Sequence, residues 1–103
     1  MEYTQQATAE GGVQYFLSGK LTAHHHQVFL KLLKELENAP FKQYAFNLSG
    51  LEFIDSGGLG MLLLANDTCK KQGNSFKLEA PTGNVQKILK LSHFEKIMTV
   101  SVH

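Results

Sequence analysis

Hydrophobic positions along the chain switch repeatedly between two spacings. Val13-Gln14-Tyr15-Phe16-Leu17-Ser18, set between Gly11-Gly12 and Gly19-Lys20, alternates in the manner of a strand. A weaker strand is expected over Tyr3 to Ala9. From Thr22 to Asn38 the spacing lengthens. Val28, Phe29, Leu32, Leu33 and Leu36 share one helical face, with Lys31, Lys34, Glu35 and Glu37 off it, and Pro40 ends the helix. Tyr44, Phe46 and Leu48 return to a period of two. After Asp55-Ser56-Gly57-Gly58 the helical spacing resumes: Leu59, Leu62, Leu63 and Cys69 mark a buried side that runs to about Lys71. Gln72-Gly73-Asn74 stops this helix and Ser75–Glu79 alternates as a short strand. Pro81-Thr82 then opens a third helix carrying Val85, Ile88 and Leu89, and Met98 to Val102 forms a terminal strand.

Strands alternating with helices of this length predict an α/β fold, a central mixed sheet of four to five strands flanked by helices. Right-handed crossovers place most strand C-terminal ends, including the one before Ser56, along one edge. With no internal repeat, linker or low-complexity stretch, residues 1–103 are expected to form one domain.

Composition narrows the function classes. At 43% hydrophobic and 18% charged, the chain has the make-up of a folded globular domain. A net charge of +1 gives no reason to expect nucleic acid or an anionic membrane as the partner. All ten basic residues are lysine, so forked guanidinium recognition of phosphate must come from another protein. Cys69 is alone and cannot close an internal disulfide. Met1–Gln6 lacks the pattern of a signal peptide, and the longest apolar run, Leu59 to Ala65, is too short to span a bilayer. These features lead to the expectation of a cytoplasmic protein with no membrane insertion.

The chemistry concentrates at Asp55-Ser56. An apolar run ends in a hydroxyl residue at a helix N-terminus, where free backbone N–H groups and the helix dipole favour a phosphate. The plain alternative is a helix cap, a routine use of Asp or Ser worth roughly 1 kcal/mol in general. Gly57 and Gly58 favour the functional reading, because glycine in a first helical turn is costly unless something must approach closely. A serine hydrolase would need G-x-S-x-G, which Ile54-Asp55-Ser56-Gly57-Gly58 does not supply. Its acid would have to orient a histidine, whereas Asp55 follows the serine's own backbone. His24-His25-His26 cannot converge on one metal, because consecutive helical residues diverge by about 100°. Gly57-Gly58-Leu59-Gly60 matches neither a P-loop nor a dinucleotide fingerprint. No catalytic residue, metal or cofactor is therefore expected.

Asn47-Leu48-x-x-Leu51-x-Phe53-Ile54-Asp55-Ser56-x-Gly58-Leu59-Gly60 resembles the signature of STAS domains, specifically bacterial anti-sigma factor antagonists. Leu17-Ser18-Gly19-Lys20-Leu21, Phe76-Lys77-Leu78 and Val85-Gln86-Lys87-Ile88-Leu89 extend the resemblance over nearly the whole chain. It implies that a GHKL-type serine kinase, itself the anti-sigma factor, phosphorylates Ser56, and that a PP2C-like phosphatase removes the phosphate. The unmodified form binds the kinase partner; the phosphorylated form releases it. Asp55, Gly57, Gly58 and Gly60 would support the phosphosite. Asp55 would position the serine, and Gly58 and Gly60 would supply the turn and close packing. His24, His25, Leu59, Met61 and Leu64 are the candidate partner contacts, on a monomer or weak dimer. Gly57 stands where many antagonists carry Ser or Thr, which removes a second hydroxyl and is expected to loosen the turn. The resemblance also admits a different role, a constitutive scaffold subunit of a lipid-transport or other membrane-associated complex.

Overall fold

A computed structural model describes residues 1–8 and 10–101. Five strands, β1 (Glu2–Ala7), β2 (Gly12–Leu21), β3 (Gln43–Ile54), β4 (Ser75–Glu79) and β5 (Thr99–Ser101), lie side by side in chain order. β1 is antiparallel to β2, and the pairs β2–β3, β3–β4 and β4–β5 are parallel, so the sheet is mixed. The parallel neighbours are joined by α1 (His26–Asn38), α2 (Ser56–Lys71) and α3 (Gly83–Leu91). Each connection advances one strand in the same direction, and right-handed crossovers then put every helix on one face.

The alternation within the strands records this one-sided layering. In β2 the side chains of Val13, Tyr15, Leu17 and Leu21 are buried, while Phe16, Ser18 and Lys20 are exposed. β4 does the same with Phe76 and Leu78 against Ser75 and Lys77. Phe46 of β3 stands at the middle of the core. Its ring meets Tyr15 at 5.7 Å, Phe29 of α1 at 6.2 Å and Phe76 of β4 at 4.9 Å, all edge-on. On the open face of the sheet Gln14 Nε2 donates to Glu79 at 2.7 Å beside the Lys77–Glu79 ion pair, and the exposed Phe16 lies on the same face.

Two strands are longer than their hydrophobic pattern suggests. β2 continues through Gly19-Lys20 and β3 through Ser49-Gly50, with their mutual register shifting between Phe16 and Ser18 and again between Gly19 and Lys20. Glycines absorb both shifts. Gly19 takes φ +85, and a Cβ on Gly50 would stand 3.1 Å from the Leu17 carbonyl oxygen. Pairing resumes as far as Leu21↔Ile54, which brings the ends of β2 and β3 together immediately before Ser56.

At the other ends the differences are small. β1 stops at Ala7 because the chain turns there, with the Thr8 N–H donating to the Gly12 carbonyl at 2.9 Å. The expected Ala9 lies outside the described residues, as does Val102 at the end of the terminal strand. The first helix begins as a 3-10 turn over Ala23–His25 before α1 proper. No helix among the described residues is long and apolar enough to cross a membrane.

Candidate functional site

Ser56 is the first residue of α2 and is exposed at the C-terminal end of β3. Its hydroxyl makes no hydrogen bond among the described residues. The site is assembled around it by Asp55, whose extended backbone (φ −113, ψ −175) makes it the N-cap of α2. One carboxylate oxygen, Oδ1, accepts the Gly58 N–H at 2.8 Å. The other, Oδ2, accepts the Ala23 N–H at 3.4 Å, across from the turn that leads into α1. The Asp55 N–H in turn donates to the Leu21 carbonyl at 3.3 Å. Asp55 therefore fastens three segments: the end of β2, the turn before α1, and α2. The Gly58 N–H, with those of Ala23 and Gly57 behind it, holds the Asp55 carboxyl below the usual carboxylate range.

This qualifies one expectation. A phosphate at Ser56 would share the helix terminus with the Asp55 carboxylate, which already takes the Gly58 N–H. Asp55 does not face a histidine, as a hydrolase triad demands; its partners are backbone amides.

The three glycines have different environments. A Cβ on Gly58 would lie 2.2 Å from the Leu21 carbonyl oxygen and 2.7 Å from Ile54, so only glycine lets α2 start so close to the strand ends. A Cβ on Gly57 would lie 2.8 Å from that of Ala23. Gly57 thus does not loosen the turn; it permits the turn before α1 to press against α2. Gly60, expected to supply close packing, supplies none: a Cβ there would meet nothing within 4 Å.

The candidate contacts also divide. Leu64 is 45% exposed and Leu59 half-buried, both on the helix that Ser56 begins. Met61 is only 4% exposed and belongs to the core, so it offers no surface to a partner. The buried stripe of α2 runs through Gly58, Met61, Leu62, Ala65, Asn66 and Cys69, with Leu59 and Leu63 at its margin. The seating of Gly58 on Leu21 turns the helix this way. His24 is exposed. His25 is half-buried, and its Nδ1 accepts the Thr22 N–H at 3.1 Å while the Thr22 hydroxyl accepts from the His24 N–H at 3.2 Å. The imidazole so held acts as part of a capping box.

Two participants were not legible beforehand. Ala23 contacts both Asp55 and Gly57 from more than thirty residues away, and nothing in its own sequence context marks it. Phe53 is 40% exposed, three residues ahead of Ser56. Its position in a strand whose phase slips at Gly50 hid its exposure.

The site is thus a capped helix that presents a bare serine at the strand ends of a one-sided α/β layer. A family model described as Mlab, STAS domain matches residues 5–100, and the chain belongs to that family. A STAS-domain containing protein of Pseudomonas aeruginosa (strain UCBPP-PA14) is 29% identical over 85 residues, covering 82% of this chain and 83% of that protein. An anti-sigma factor antagonist from Mycobacterium paratuberculosis shares the fold with a TM-score of 0.85 at 16% identity, over 99% of this chain and 86% of the other. The Bacillus cell fate determinant SpoIIAA in its phosphorylated form shares it with a TM-score of 0.70 at 20% identity, over 96% and 90%.

Proposed function

We propose that this chain is a non-enzymatic, cytoplasmic partner-switching module whose docking surface is Ser56 with the outward side of α2. The observation that carries this reading is the Ser56 hydroxyl itself, exposed and without a hydrogen bond among the described residues, beside a cap whose two oxygens each accept a backbone N–H. The likeness to SpoIIAA, a protein with a phosphorylated form, supports it. The partner is a GHKL-type serine kinase that doubles as the anti-sigma factor, and a PP2C-like phosphatase resets the switch.

In the forward step the Ser56 oxygen bonds to the γ-phosphorus of ATP held by the kinase, ADP leaves, and the serine proton passes to a base. The Gly58 N–H holds the Asp55 carboxyl below the usual carboxylate range and makes it a poor base, so the proton goes to a group of the kinase. The product carries about −1.5 to −2 charge next to a carboxylate that stays ionised. Two anions then compete for the same helix terminus, inside an interface shaped for a small hydroxyl. Repulsion and uncompensated desolvation weaken docking.

The test compares capture of the kinase by three forms. Ser56→Ala is expected to bind throughout and to resist phosphorylation, and Ser56→Asp to bind poorly. Incubation of wild type with the kinase and ATP should add one phosphate, located at Ser56 by mass spectrometry. An unmodified Ser56, together with equal capture of Ser56→Asp, would instead favour a constitutive scaffold subunit.

A further inference from the structure

The outer strand of the sheet lacks the devices that ordinarily keep sheet edges from pairing. β1 runs six residues in unbroken register against β2, from Glu2↔Ser18 to Ala7↔Val13. It has no bulge, proline or lysine, and its single charge, Glu2, sits at its start. Its hydrogen-bonding phase follows from the turn. The Thr8 N–H donates inward to Gly12, and alternate residues of an antiparallel strand point their N–H and C=O the same way. Gln6, Thr4 and Glu2 therefore bond to β2, and Tyr3, Gln5 and Ala7 direct their backbone groups away from the sheet. Gln5 and Ala7 are exposed on both counts, side chain and edge. Helix α1 reaches the strand at Tyr3, whose hydroxyl donates to the Glu35 carboxylate and so holds β1 in place.

We propose that this edge docks a second copy of the same chain, β1 against β1 across a two-fold axis, fusing two five-stranded sheets into one. The outward set is symmetric about Gln5. Run antiparallel against itself, it places Tyr3 opposite Ala7 and Gln5 opposite Gln5, each pair bonding in both directions, for about six backbone hydrogen bonds. Thr4 then meets Gln6 and Glu2 meets Thr8, so no like charges face one another. The net charge of +1 adds little long-range repulsion between copies. A foreign strand would need a matching segment of its own, whereas a copy carries one by construction. The strand is already ordered, so little conformational freedom is lost on docking. A contact made by one strand pair is small, and the dimer forms with concentration rather than permanently. Ser56 follows β3, two strands in from this edge, and stays open in both copies.

Sedimentation and light scattering of the whole chain, from micromolar to millimolar concentration, test this. The mass is expected to rise to twice that of the single chain, while amide exchange at Gln5 and Ala7 slows. Gln5→Pro removes one outward N–H and no bond to β2, so it should hold the mass at that of one chain with the circular dichroism retained. If that variant fails to fold, Gln5→Lys puts two cations opposite each other and should do the same. Mixing Gln5→Lys with Gln5→Glu should then restore the doubled mass. A single-chain mass for wild type at millimolar concentration overturns the proposal. So does a dimer that the Gln5 variants leave intact.

Discussion

At the scale of single residues, Gly58 and Gly60 look interchangeable in the sequence and stand in opposite situations. Alanine at Gly58 would drive a methyl group into the Leu21 carbonyl and Ile54, an overpacking that costs about 1–3 kcal/mol or more. Alanine at Gly60 would project into open space and relieve the entropy of a helical glycine, a gain of up to about 1 kcal/mol. Urea denaturation of the two variants should therefore move the midpoint in opposite directions. Asp55 offers a pH test. Its folded-state pKa is lowered by the Gly58 N–H, so the folded protein binds that proton less readily than the unfolded chain. The resulting stabilisation is complete above the unfolded carboxylate value, about pH 4, and is lost as pH falls through the folded one. Asp55→Asn keeps a capping oxygen but not the charge. Its stability deficit at neutral pH should shrink steadily below about pH 4, as read from thermal unfolding across the acid range.

Among elements, the parts legible in sequence were those governed by local periodicity. The two-residue alternation of Tyr44, Phe46 and Leu48 and the helical stripe of Phe29, Leu32, Leu33 and Leu36 both translate into buried side chains, while Val28, expected on that stripe, is exposed. What escaped the pattern arises from contacts between distant segments. The extensions of β2 and β3 depend on register shifts that glycines permit only once the strands are paired. The rotation of α2 that buries Met61 is set where Gly58 rests on Leu21, a contact no helical wheel contains. His25 reads as one of three similar histidines until its ring closes the box on Thr22. Packing across elements is also where stability concentrates. Phe46→Ala would empty the space shared by Tyr15, Phe29 and Phe76, which predicts a loss of about 3–5 kcal/mol in chemical denaturation.

For the molecule as a whole, layering helices on one face leaves the sheet's other face and its β1 edge bare, and puts the serine at the strand ends. Switch and edge thus occupy separate surfaces of one small body. The strand order has a further consequence, in time rather than space. Because each strand of the parallel set lies beside the one made just before it, every crossover closes a short loop, and no segment must await a distant downstream partner. The layer can grow from its amino-terminal side as the ribosome delivers it, with hairpin first and each helix sealing the strand behind it.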